Sequence, residues 1–192
     1  MQPLALATEA SVGSAQSELV ARAAGGDEIA FERLVVNRTD RAFRTACAIL
    51  GNETDARDAT QDAFIAVWRE LPRLRDHERF DGWFSRILVN ACRAHLRSRR
   101  RVREISIDAA AERRAPGPGV SEQLGDTDVL SHAFDRLDPA KRAILVLHYL
   151  EHAPVATIAA SLGVPVGTAK WRLSDARAAL ERALRAEEGG RR

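Results

Sequence analysis

Apolar residues recur at three- and four-residue steps along most of the chain, the spacing that gathers them on one face of an α-helix. Phe31, Leu34, Val35, Ala42, Ala46 and Ile49 form one such face, in a helical pattern that begins at Ser17 and closes at Gly51-Asn52. Ala56, Ala59, Ala63, Phe64 and Val67 form a second, with Thr54 as the expected N-cap, Asp55 and Asp58 in the first turn and Pro72 as the stop. Trp83, Phe84, Ile87, Leu88, Ala91 and Leu96 form a third, which Asp81 is expected to cap. The pattern resumes with Val129, Leu130, Ala133, Phe134 and Leu137; Asp138-Pro139 then opens a helix carrying Ile144, Leu145, Leu147 and Leu150 as far as Pro154. Strand-like alternation is confined to "EISI". The expected fold is all-α.

Residues 104–126 break the periodicity with Pro, Gly, Ser and charges, and their length exceeds that of an ordinary connection inside a domain. The expected organisation is two small helical domains joined by a flexible linker: a tail over 1–16, a first domain over 17–103, the linker over 104–126, a second domain over 127–186 and a tail over 187–192.

A composition of 45% hydrophobic and 29% charged residues supports folded cores, while a net charge of +2 by itself names no partner. The distribution of charge says more. Lysine occurs only at Lys141 and Lys170, so nearly all positive charge is arginine, the residue suited to bidentate phosphate and base contacts. "RSRRRVR" (97–103) is strongly basic and "NETDARDATQD" (52–62) acidic, which assigns the two stretches to different partners. Cys47 and Cys92 lack metal or redox spacing and read as two buried free thiols in a reducing compartment. No basic leader opens the chain and no run approaches the roughly 18 apolar residues of a membrane span, so the expected location is the cytoplasm.

"VATIAASLG" followed by "VPVGTAKWRLSDARAALERAL" has helix-turn-helix spacing. Ala159 is small where two helices cross, and Gly163 follows four residues later at the turn. Ile158, Leu162 and Val164 face inward, and Ala169 and Leu173 pack the second helix back. The outer face then carries Thr168, Lys170, Trp171, Arg172, Ser174 and Arg177, donors suited to phosphates and the major groove. An exposed indole between two cations argues against an idle solvated face.

This segment, preceded by "LDPAKRAILVLHYLEHAPVATIAASL", resembles region 4 of the sigma-70 family, in its extracytoplasmic-function (ECF) type. "DARDATQDAFIAVWRELPRLRDHERFDGWFSRILVNACRAHLRSRRR" resembles region 2 of the same family, in the family's order and with its linker between. The resemblance implies a sigma factor that carries no catalysis and no cofactor. It implies binding to core RNA polymerase through the large-subunit clamp helices and flap, to promoter DNA, and to an anti-sigma protein. Asp58, Gln61, Asp62, Phe64 and Trp68 match the polymerase-docking helix. Asp55 and Asp58 serve equally as first-turn dipole partners. Ile87 and Asn90, opposite the loop "ELPRLRDHER", match the pocket for a flipped −10 base, and Arg86, Arg93, Arg97, Arg99, Arg100 and Arg101 match its phosphate contacts. Asn90 also fits a plain helix-surface amide.

Two positions depart from the family pattern: Trp171 stands where a small residue is usual, and Asp175 where a basic one is common. Two rivals are weaker. "HYLEH" (148–152) has the H-x-x-E-H spacing of inverted zinc peptidases but lacks a third ligand, and Pro154 breaks the helix just beyond it. A stand-alone helix-turn-helix regulator would need no acidic docking helix.

Overall fold

A computed structural model describes residues 15–105 and 127–190 of the chain. Most of the expected linker and of the N-terminal tail lie outside the described residues, whereas the expected C-terminal tail is helical as far as Gly190. All regular elements described are helical: α1 (15–24), α2 (Glu28–Leu50), α3 (Glu53–Glu70), α4 (Phe80–Ile105), α5 (Thr127–Asp135), α6 (Pro139–Leu145), α7 (Val155–Leu162) and α8 (Val166–Gly190). Two short 3₁₀ turns, Leu71–Arg73 and His77–Arg79, join α3 to α4. The stretch "EISI" is not a strand as far as it is described, since Glu104 and Ile105 finish α4.

Caps decide where several of these helices start. Asp27 opens α2 by accepting from the Ala30 amide at 3.0 Å, a contact that, with Arg22, holds its carboxyl below the ordinary aspartate value. Gly51 ends α2 in the left-handed conformation, φ 64°. Asn52 then caps α3 by accepting from the Asp55 amide at 2.9 Å, so Thr54 is not the cap. The extended Asn52 directly after Gly51 starts the helix before Thr54 can act. Asp81 is not a cap either: α4 begins at Phe80 off the preceding 3₁₀ turn, and the Asp81 carboxylate instead pairs with Arg38 and accepts from Gln16. Asp138 caps α6 as expected, accepting from the Ala140 and Lys141 amides at 3.0 Å each.

The first unit is built on α3. Ala56, Ala59 and Ala63 present no side chain beyond a methyl and are fully buried, which lets α3 approach α2 and α4 closely. Phe64, Phe80 and Phe84 fill the space beyond them, with ring centroids 5.3 Å apart for Phe64–Phe84 and 6.0 Å for Phe80–Phe84. In the second unit α5, α6 and α7 pack on α8 through Ala133, Ile144, Ile158, Ala159, Ala169, Leu173 and Ala176. The helix expected to run to Pro154 does not continue as α: α6 gives way to one π turn, Val146–Leu150, and His152 takes φ 50°.

The two units share one continuous core. Helix α7 crosses α4 at Gly82, where an added Cβ would come 2.9 Å from the Thr157 methyl. Glu151, just before α7, receives the Arg41 guanidinium at 2.7 Å and the Thr45 hydroxyl. Arg142 lies buried against Gly51 at the end of α2, 3.7 Å from Asp135, with its Nε unpaired. Burial pushes Arg142 below its ordinary value and Asp135 above its own.

Cys92 is fully buried on the core side of α4, and burial pushes its thiol up to about 12; Cys47, half-buried, is raised by burial and then by Glu53. The folded chain therefore keeps the Cys92 proton at pH values where the unfolded thiol gives it up. Stability should fall as pH rises from about 9 toward 12, and Cys92→Ala should flatten that slope in alkaline urea titrations. At pH 8 a thiol reagent should modify Cys47 and reach Cys92 only on unfolding.

Candidate nucleic-acid and polymerase interfaces

Helix α3 buries its alanine stripe and turns the opposite face outward. Asp58, Gln61, Asp62 and Trp68 are exposed on that face, whereas Phe64 is half-buried against Phe84. Trp68 is 46% exposed while its ring meets Phe31 edge-on at 4.6 Å, so the indole is held in place with one side free. Ile65, 41% exposed, belongs to the same surface and was not expected. It is one turn from Gln61 and three residues before Trp68, which is the signal that would have found it. The result is an apolar strip, Ile65 and Trp68, rimmed by carboxylates, the form of a docking surface for a helix with a basic edge.

Helix α4 carries the arginines. Arg86, Asn90, Arg97 and Arg101 are exposed, Ile87 is half-buried, and the side chain of Arg100 lies outside the described residues. Arg99 faces α3, where it donates to Asp55 at 2.5 Å, and His95 lies 2.8 Å from Asp62. Arg93 faces α7 and donates to the Leu162 carbonyl at 3.3 Å. Burial, then the charges of Arg172 and Arg97, lower Arg93 below the ordinary arginine value. The like charges of Arg172 and Arg97 thus disfavour the charged form of Arg93, an effect that a bound polyanion would offset.

Gly163, φ 66°, ends α7, and the corner aims the first turns of α8 outward. Lys170, Trp171, Ser174 and Arg177 are exposed there together with Val166 and Gly167, and Thr168 and Arg172 are half-buried. Val166 and Gly167 were not expected; they lie one turn before Lys170 and Trp171 and share their face. Arg177 is held back by the π turn, donating to His148 at 2.9 Å and lying over the Tyr149 ring at 5.4 Å. Asp175 reaches Lys141 at 3.1 Å, so its charge is partly neutralised within the fold. Among the described residues no group of three His, Cys, Asp or Glu side chains could hold a metal, and His148 of the "HYLEH" motif is committed to Arg177. No described helix is long and apolar enough to cross a membrane.

A surface for a basic partner, an arginine-bearing helix and a helix-turn-helix together define a DNA-binding transcription factor with a second protein partner. Residues 34–102 match sigma-70 region 2 and residues 127–180 match sigma-70 region 4. The ECF RNA polymerase sigma factor SigE of Mycolicibacterium smegmatis is 34% identical over 157 residues, which cover 78% of this chain and 61% of that protein. SigM of Mycobacterium tuberculosis is 32% identical, covering 88% of this chain and 84% of its own length, and the sigma factor NccH of Alcaligenes xylosoxydans is 34% identical, covering 91% and 97%. The structure of CnrH in complex with the cytosolic domain of CnrY superposes with a TM-score of 0.63 at 27% identity, covering 90% of this chain and 98% of that one. The fold is also that of the sigma factor RpoE of Bartonella quintana, at a TM-score of 0.68 over 81% of this chain and 96% of that one. The chain belongs to the sigma-70 family, in its ECF type, the non-catalytic factors that direct RNA polymerase to promoters.

The contact between the units is testable through Gly82. Gly82→Leu should push α7 off α4, since even a Cβ is too close to Thr157. The expected outcome is a larger radius of gyration with unchanged helicity, measured by small-angle scattering and circular dichroism. Glu151→Ala, which removes the Arg41 ion pair and leaves the buried Thr45 hydroxyl without its partner, should act the same way and cost about 1–3 kcal/mol of stability.

Proposed function

We propose that the region 2 unit (17–103) docks on the clamp helices of core RNA polymerase through Asp58, Gln61, Asp62, Ile65 and Trp68, with Phe64 supporting them from the core. Its α4 holds the melted −10 strand, Ile87 and Asn90 lining the pocket for a flipped base and the exposed arginines gripping phosphates. The region 4 unit (127–186) lays α8 in the major groove of the −35 element and meets the flap of the polymerase. The protein does this in the cytoplasm without catalysis of its own, and residues 104–126 span the polymerase between the two sites. The observation that carries this reading is the joint exposure of three chemically distinct faces on one chain: acidic and apolar on α3, arginine-rich on α4, mixed cationic and apolar on α8. A stand-alone regulator would need only the third.

The closed packing of the units bears on how the factor is used. The −35 and −10 positions lie about 25 base pairs apart, or about 85 Å at 3.4 Å per pair. Helices α4 and α7 touch, so both elements are engaged only after the units separate. The seam is suited to opening, because it holds the Arg93–Arg172 repulsion and a buried guanidinium with an unpaired Nε. CnrH was solved with the cytosolic domain of CnrY and the Bartonella factor with the anti-sigma factor NepR. By analogy an anti-sigma protein regulates this chain by covering its DNA- and polymerase-binding faces.

Sigma-free core polymerase supplies the test. Added to core, the chain should direct initiation from a discrete set of genomic templates; failure to initiate from any, together with a footprint on duplex DNA by the chain alone, would favour the stand-alone regulator. The double change Asp58→Lys with Asp62→Lys should weaken core binding at least tenfold and leave binding to a −35 duplex within about twofold of the parent. Equal loss of both would remove the assignment of α3.

A further inference from the structure

Trp171 differs from the other two tryptophans. Trp68 and Trp83 each contact a phenylalanine ring, Phe31 and Phe80 respectively, and Trp83 packs against the core. Trp171 has no ring partner among the described residues and is 67% exposed on the outward face of α8. Its neighbours extend the apolar surface. Side chains on a helix lean toward its N-terminus, over the residue four positions earlier. For Trp171 that residue is Gly167, where an added Cβ would meet nothing within 4 Å, so the space one turn before the indole is open. Val166, 43% exposed, lies one turn before Lys170. Lys170 and Arg172 flank this strip, and no carboxylate shares the exposed first turns of α8, Asp175 being drawn to Lys141.

The cations fix the kind of surface that covers the strip: a polyanion, which on a helix-turn-helix is the major groove of duplex DNA. Within that groove the indole is a poor reader of polar edges, because it offers one N–H donor and no acceptor. One apolar group is presented there by the bases, the C5-methyl of thymine. We propose that Trp171 is a specificity-determining element of this protein that reads a thymine methyl group in the −35 element. The assignment rests on the reading of α8 as the −35 helix and adds to it the base that is read. Lys170 and Arg172 hold phosphates on either side and set the register. Thr168, half-buried at the first turn, and Ser174, one turn after the indole, are free for polar contacts that accompany the methyl contact.

Uracil, which is thymine without its methyl, tests this directly. Holoenzyme assembled from core polymerase and the full chain is used to retain duplexes from a library randomised over the −35 region, and each thymine of the enriched sequence is then replaced singly by deoxyuridine. At one or more positions the replacement should weaken holoenzyme binding about threefold to tenfold, the scale of one buried methyl with its packing. With Trp171→Ser that discrimination should fall to within twofold, and with Trp171→Leu, which keeps an apolar side chain, part of it should survive. An enriched −35 element whose thymines all tolerate uracil overturns the assignment of Trp171 while leaving the sigma reading intact. So does a Trp171→Ser holoenzyme that still distinguishes thymine from uracil. Holoenzyme that enriches no sequence overturns both.

Discussion

Helix α4 cannot pack against the helix-turn-helix and grip DNA with its whole outer surface at the same time. It is the element on which the molecule turns: one side carries Phe84, Leu88 and Cys92 into the core of the first unit, another receives α7 at Gly82, and its C-terminal half carries the arginines. Everything that holds the second unit to the first is gathered near this helix or the end of α2. Some of those contacts are favourable, such as Glu151 with Arg41 and Thr45. Others are costly, such as the buried Arg142 and the facing Arg93 and Arg172. A seam composed this way is closed by apolar burial and weakened by charge, so a partner that competes for either can change its state.

Charge placement is equally economical elsewhere. Asp55 pairs with Arg99 and Asp62 with His95, so α3 and α4 are partly neutralised against each other, and Asp58 remains exposed beside the apolar strip. On α8 an acid that would repel a phosphate is occupied by Lys141, one of only two lysines in the chain. That pairing explains how Asp175 is accommodated on the helix proposed to face DNA.

The helical fold and its two halves were legible because periodicity is a local property: most of the apolar positions read from the sequence are buried or half-buried in the structure, Ala56-Ala59-Ala63 most plainly, whereas Leu130 and Leu150, at the edges of their stripes, are exposed. The helix-turn-helix was legible for the same reason, since Ala159, Gly163, Ala169 and Leu173 are fixed by spacing alone. Caps were harder. Asn52 and Thr54 both have N-cap chemistry, and the left-handed Gly51 decides between them. The π turn left no signature, because Ala143 to Leu147 are buried all round and an apolar run has no phase. Least visible was the seam. Arg41 and Glu151 are 110 residues apart, and neither residue type nor spacing announces their contact. For the site residues, the sequence placed Lys170, Trp171 and Ser174 on an exposed face, but it could not show that Arg99 is turned toward Asp55 or Arg177 toward His148.

The central claim is that one chain holds its two DNA-binding units together when free and parts them when it directs polymerase. Spin labels at the exposed positions Arg57 on α3 and Arg182 on α8 would report the separation by pulsed electron resonance. The account predicts one short distance for the free chain and a distance longer by tens of ångströms once core polymerase and promoter DNA are added. An unchanged short distance in the transcribing complex, or a free chain already at the long one, would contradict it.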